Sequence, residues 1–315
     1  MPELGAVLGT MTFGDTVDID TATTMVDVAL AEGVTRIDTA NGYAGGAAES
    51  MLATILRGRR HRIELASKVG IPHPDAQGLA PLSADAIRRC VAGSLARLEV
   101  DSIDLLYLHQ PDRLTPVEET LAALGELIGG GAIASWGVSN YSAWQVAELS
   151  HAARRLGLPG PRVGQQVYSI VARRLDEEYL EYARTAGIET MVYNPLAGGL
   201  LSGRHDLAKR PEHGRFGDSR LADMYTQRYW NAAMLSAVTE LSKIADEAGV
   251  PLADLAIRWL VGRDGIDTVL LGGSRVDHLE TNLASIRRGP LPDDVVAACD
   301  AVGAELRGPM PAYNR

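Results

Sequence analysis

The sequence predicts an α/β fold on a parallel sheet, either closed into a barrel or open and doubly wound. Three observations predict it. Short apolar segments alternate with amphipathic helical stretches along all 315 residues. The apolar segments are near-continuous runs of Ile, Val and Leu, as strands covered on both faces are. No Pro/Gly-rich linker or break in composition divides the chain, and α/β barrels commonly form one domain at this length.

The predicted strands are Ala6–Leu8, Thr35–Asp38, Arg62–Ser67, Ile103–Leu108, Ala132–Val138, Arg162–Gln165, Glu189–Tyr193 and Asp267–Leu271. Each is bounded by Gly, Pro, Asp or Asn. Between them, Ser83–Leu98 opens on a Ser N-cap and sets Ile87, Cys90, Val91, Ser94, Leu95 and Leu98 on one face. Thr115–Ile128 begins Thr-Pro-Val-Glu, with Pro116 expected at the first helical position. Tyr141–Leu156, Ala172–Ala186, Met234–Ala248, Leu252–Val261 and Val276–Ile286 are patterned alike. Gly157, Gly187 and Gly249 stand where helices should stop. Leu200–Leu221 is the one long irregular stretch, and loops of that length in compact domains usually serve function.

Composition narrows the function. The chain is 46% hydrophobic with a formal net charge of −10. An acidic surface argues against nucleic acid, which is held by clustered Lys and Arg. Cys90 and Cys299 lie far apart, with no disulfide framework or CxxC pair, which fits a reducing compartment. The start of the chain shows no signal-peptide pattern, and no apolar run approaches membrane-spanning length. A soluble cytoplasmic protein is therefore expected. The seven histidines show no HxH or HExxH spacing, so no metal site is expected and a metal-dependent barrel hydrolase is disfavoured. No GxGxxG or GxxxxGK[ST] pattern occurs, so a bound nucleotide would need another cradle.

In a barrel, reacting groups belong at the C-terminal ends of the strands. Asp38 ends the second strand and Tyr43 lies in the loop after it. Lys68 follows the third strand, and His109 the fourth. Singly, each has an ordinary use: a turn cap, a packing ring, a rim lysine, a structural histidine. Together they fit carbonyl reduction. Charge builds on the carbonyl oxygen when hydride reaches the carbon, so a proton donor is needed. A tyrosine is a reluctant acid, with an unperturbed pKa near ~10. A lysine beside it would lower that value, and a carboxylate would hold the lysine charged. Tyr43 is then the acid, Lys68 its tuner, Asp38 the anchor and His109 the orienter of substrate.

These residues sit in blocks that resemble the aldo-keto reductase superfamily. The blocks are Gly9–Gly14, Asp38–Tyr43, Ala66–Lys68, Tyr107–His109, Gly137–Tyr141 and Tyr193–Leu196. They occur in family order along nearly the whole chain. Asn194–Arg204, Gly214–Phe216 and Tyr225–Trp230 are most similar to the aflatoxin-aldehyde/succinic semialdehyde reductase branch. The resemblance implies a single (β/α)8 TIM barrel over residues 1–315, with cofactor and active site at the C-terminal rim. It also implies NADPH-dependent reduction of an aldehyde or ketone by the tetrad Asp38, Tyr43, Lys68 and His109.

By the same resemblance, Ser139, Asn140 and Gln166 grip the nicotinamide amide, and Tyr193 stacks on the ring. Read from the residues alone, Ser139 and Asn140 also fit an N-cap of the next helix. Asn194, Pro195, Leu196, Gly198, Gly199, Leu200 and Ser202 offer little bulk, so backbone N–H groups there can approach a pyrophosphate, with Arg204 and Arg215 adding charge. Gly272, Gly273, Ser274 and Arg275 form a Gly loop before a helix N-terminus, a phosphate position common in barrels. Ser274 and Arg275 are expected to hold a 2′-phosphate, which favours NADPH over NADH, and Asn282 to contact the adenine. His278, also placed at the cofactor, and Thr281 depart from the residues usual in the family. The branch places Tyr225, Arg228 and Arg315 beside the substrate with His109, which would suit an aldehyde bearing a carboxylate or phosphate. Arg228 on a helix surface and Arg315 at a frayed terminus are the competing readings. Expected partners are a small carbonyl compound and, in a homo-oligomer, further copies of the chain. The alternative function is a non-catalytic NADPH-binding regulatory subunit of the same fold.

Overall fold

The computed structural model describes residues 4–308. Eight parallel strands among them close into a barrel in chain order. They are β1 (Gly5–Gly9), β2 (Arg36–Asp38), β3 (Glu64–Val69), β4 (Ile103–Leu108), β5 (Ile133–Ser139), β6 (Val163–Val167), β7 (Glu189–Tyr193) and β8 (Thr268–Leu271). Strand β1 pairs on both sides: Leu8 lies opposite Ile37 of β2 and opposite Leu271 of β8. That double pairing rules out the open sheet.

Strands β4 and β7 have the expected bounds, and the others shift by one or two residues. The largest shift is at β3. Arg62 ends a 3-10 turn, and the strand runs on to Val69. Lys68 is therefore inside a paired strand, opposite Tyr107 of β4, rather than just beyond one.

Side chains on a strand alternate between faces. Val7, Ala66, Leu105, Tyr107, Val163 and Met191 form one apolar cluster, and they share strand parity with the inward residues. Leu8, Ile37, Leu65, Val69, Leu106, Leu108, Val138 and Val192 join the larger core beneath the helices. The barrel is thus a packed core and not a pore. Its N-terminal end is closed by charge. Arg36 pairs with Glu189 and with Glu64 at 3.3 Å, Glu64 pairs with Arg162 at 2.6 Å, and Thr268 Oγ1 donates to Glu189 at 3.0 Å.

The helices are α1 (Ile19–Ala31), α2 (Ala47–Leu56), α3 (Ala84–Leu98), α4 (Val117–Gly129), α5 (Ala143–Arg155), α6 (Tyr179–Ala186), α7 (Ala222–Tyr229), α8 (Ala232–Glu247), α9 (Leu252–Val261), α10 (Val276–Arg287) and α11 (Asp293–Glu305). Helix α3 buries Ile87, Cys90, Val91, Ser94 and Leu98 as its spacing predicts. Ser83 takes the N-cap position, but its hydroxyl turns to Ala80 O, and Glu119 of α4 accepts the Ala84 N–H at 3.0 Å instead. Pro116 is the N-cap of α4, one place before the expected position. The single helix expected over Ala172–Ala186 is broken into a 3-10 turn (Arg174–Glu177) and α6. Asp176 is drawn aside there by Arg173 Nε at 2.8 Å and by the Tyr168 hydroxyl. Residues 200–221 contain no α-helix, only short 3-10 turns. Among the described residues, no helix is long and apolar enough to cross a membrane.

Candidate active site

Strand period decides which polar residues reach the barrel mouth. Asp38 and Lys68 both point inward and are fully buried. Lys68 Nζ donates to the Asp38 carboxylate, to Thr39 O at 2.8 Å and to Tyr43 Oη at 3.1 Å. Three N–H bonds thus meet three oxygens. Tyr43 is brought there by the turn after β2. Ala44, Gly45 and Gly46 have φ of 48°, 65° and 98°, a left-handed run that reverses the chain and lays the tyrosine ring 4.8 Å from Nζ. Such a run favours glycine. His109 follows β4 and meets Tyr43 edge-on, with ring centroids 6.0 Å apart at 82°. The four side chains expected to meet do so.

The charges are coupled. Burial pulls the Lys68 pKa down, but Asp38 and then Tyr43 outweigh it, and the net direction is up. Lys68 is held as an ammonium. For Tyr43, burial pushes the pKa up, Lys68 pulls it down, and the result stays above the ordinary value. The expected lowering by Lys68 therefore offsets burial only in part, because the phenol is desolvated more than the ammonium can repay. Burial and, after it, Lys68 bring His109 down to about 3. Its ring is neutral at physiological pH, and its Nδ1 is buried without a hydrogen-bond partner.

Ser139 ends β5, and Asn140 beyond it has φ 65°. Neither caps a helix. Helix α5 is capped by Ser142 and Gln145, so the N-cap reading fails. Asn140 Nδ2 donates to His109 O at 2.9 Å and to Ser139 Oγ at 3.1 Å, while its Oδ1 accepts from Tyr193 Oη at 2.6 Å. One amide thus ties together the ends of β4, β5 and β7. Gln166 has the outward parity and donates to Tyr141 O, in the loop after β5, at 2.7 Å. Its neighbour Gln165 points inward instead, with Nε2 on Asp38 Oδ2 at 2.8 Å. Parity separates the two, since Gln165 shares it with the inward Val163 and Gln166 does not.

After β7, Asn194 and Ala197 have φ of 60° and 50°, followed by Gly198 at 72° and Gly199 at 105°. Pro195, Leu196, Leu200 and Ser202 complete this turn. Arg215 leaves the 3-10 turn Gly214–Phe216 to meet Tyr225 Oη at 3.2 Å and Asn194 Oδ1 at 3.4 Å, and it lies over the Tyr225 ring. Arg204 instead contacts His278 Nε2 at 2.6 Å. The two arginines expected at one pyrophosphate therefore have separate neighbourhoods.

Beyond β8, Thr12 Oγ1 donates to Gly273 O at 2.7 Å, and a Cβ on Gly272 would lie 3.2 Å from Gly9 O. Ser274 precedes Arg275, the N-cap residue of α10. Arg275 is forked onto Asp277 through bonds of 2.9 and 3.0 Å, and both side chains are exposed. Asn282 is buried on α10. Tyr225 and Tyr229 are buried and stacked 6.2 Å apart, with the Arg228 guanidinium 5.9 Å from the Tyr229 ring. Arg228 therefore borders this tyrosine cluster. Arg315 lies outside the described residues.

The Aldo/keto reductase family model matches residues 6–304. The chain is 35% identical to the human "Aflatoxin B1 aldehyde reductase member 2" over 331 aligned positions, covering 100% of this chain and 90% of that protein. It is also 35% identical to the human "Aldo-keto reductase family 7 member A3", covering 98% of this chain and 96% of that protein. An Arabidopsis thaliana protein named "Probable voltage-gated potassium channel subunit beta" is 34% identical over 91% of this chain and 88% of its own length. Similarity of this extent, on a closed eight-stranded barrel, makes the protein a member of the aldo/keto reductase family and an oxidoreductase of aldehydes or ketones.

Proposed function

We propose that the protein is an NADPH-dependent carbonyl reductase in which Tyr43 gives the proton. The observation that carries this reading is the Lys68 Nζ–Tyr43 Oη bond of 3.1 Å, with Lys68 also bonded to Asp38. The mouth suits a dinucleotide. Ser139 Oγ accepts from Asn140 and keeps its own proton for donation. Gly198 and Gly199 carry no side chain over the turn after β7, and Arg204, Arg275 and the α10 N-terminus supply positive charge. Ser139, Asn140, Gln166 and Tyr193 would hold the nicotinamide. Ser274, Arg275, His278 and Asn282 would hold the adenosine end. When bound, NADPH supplies the hydride.

The protein's own residues manage the proton. The raised pKa keeps Tyr43 protonated at neutral pH, so a donor is always present. Once the proton has gone to the carbonyl oxygen, the phenolate is stabilised by the Lys68 ammonium. Neutral His109 donates to the carbonyl oxygen and aims it at Tyr43. Arg228 beside Tyr225 and Tyr229 supports an aldehyde that also carries a carboxylate, since a guanidinium pairs with that group in two bonds.

Tyr43→Phe tests the acid. Turnover of 4-nitrobenzaldehyde or succinic semialdehyde should fall at least ~10²-fold, while the Kd for NADPH stays within about twofold of wild type by fluorescence titration. Wild-type kcat in this variant rejects the assignment. The plant relative's name favours a second reading, an NADPH-binding regulatory subunit. NADPH binding without turnover of any aldehyde or ketone in a broad panel would select it.

A further inference from the structure

We propose that Glu49 is a positioning residue for the proton donor, fastening the Tyr43 turn and the Lys68 strand to one carboxylate. The proposal rests on Tyr43 being the acid. Glu49 lies in the first turn of α2, three residues after left-handed Gly46, and is fully buried. A buried carboxylate is costly unless its oxygens are satisfied. Both are, by partners that lead in different directions.

Oε1 accepts from Ser67 Oγ at 2.6 Å. Ser67 is the β3 residue next to Lys68. Strand parity turns it outward to the helices while Lys68 points into the barrel. Oε2 accepts from Arg97 Nε of α3 at 2.8 Å. Arg97 Nη1 reaches Asp75 Oδ2 at 2.8 Å, and Nη2 is buried without a partner. Glu49 and Asp75 are thus the groups that aim this guanidinium. The Arg97 side chain then packs on the end of the Tyr43 turn: a Cβ added to Gly46 would lie 2.8 Å from Arg97 Cδ. On one side, then, the carboxylate holds the strand of the ammonium. On the other it steers the arginine on which the turn of the phenol rests. Glu49 makes no hydrogen bond to Tyr43 or Lys68, so its effect is on their separation. Displacements near 1 Å at a reacting group can cost on the order of 10²-fold in rate.

Two variants test this. Ser67→Ala removes one neutral hydroxyl, and Glu49→Gln keeps shape while weakening the hold on Arg97. Each should lower kcat about tenfold, with the carbonyl KM and the NADPH Kd within about twofold of wild type. In Ser67→Ala, the basic limb of the kcat–pH profile should move to higher pH, because Tyr43 loses part of the downward pull of Lys68. Wild-type kcat in Ser67→Ala overturns the proposal. So does a joint fall of kcat, cofactor affinity and Tm with the basic limb unmoved, which is the mark of a merely structural bond. If Glu49→Gln does not fold, Ser67→Ala decides alone. Tyr43→Phe at wild-type rate would remove the acid assignment itself. An inactive Tyr43→Phe beside an unaltered Ser67→Ala rejects only the positioning role.

Discussion

At the scale of the residue, His109 is a histidine that does not titrate in the usual range. An unfolded histidine takes its proton near pH 6.5, whereas His109 waits until about 3. Between those values the unfolded chain binds a proton that the folded protein refuses. The stability His109 contributes at neutral pH is therefore lost as pH falls from about 6.5 toward 3. His109→Gln should flatten the decline of Tm over pH 6 to 4, and wild-type kcat should show no inflection near 6.5 that this variant abolishes. Arg275 belongs to the same scale. Its fork is engaged by Asp277, yet both groups are exposed, so the pair is weakly held. Arg275→Ala should weaken NADPH more than NADH in paired titrations. Equal losses would separate Arg275 from the 2′-phosphate. The tetrad was legible because its four residues each sit at a strand end or in the loop after one. The direction of the Tyr43 pKa was not, because it is a balance of burial against charge that only the packed barrel sets.

At the scale of the element, the existence of each strand was readable in its apolar run, and its last residue was not in every case. Ending β6 at Gln165 hid the fact that Gln165 and Gln166 sit on opposite faces of a strand that runs to Val167. The break before α6 was hidden for a different reason. Asp176 is claimed by Arg173 and Tyr168, and Arg173 also holds Asp300 of α11 at 2.8 Å, far along the chain. No local propensity records such a partner. The turn after β7 carries its own prediction. Gly198 has φ 72°, and an added Cβ would fall 2.6 Å from the Tyr225 ring. Gly198→Ala should push Tyr225 and Arg215 from their present contacts. The expected result is a several-fold weaker NADPH Kd with a higher carbonyl KM, measured against an unchanged circular-dichroism spectrum.

At the scale of the whole molecule, the two ends of the barrel divide the work. Charged side chains close the N-terminal end, and the proposed tetrad lies at the other, as barrels generally arrange stability and chemistry. Glu189→Gln should therefore lower stability by roughly 1–3 kcal/mol in urea titration while kcat and KM stay within twofold. A large kinetic defect would contradict this separation. The pairing of β1 with β8 has a consequence for synthesis. Gly5 cannot meet Thr268 until β8 itself has left the ribosome. The first strand must wait with one edge bare while seven further strands are made, a long-range closure that slows maturation and exposes the nascent chain to association. A product truncated before β8 would leave that edge without its mate.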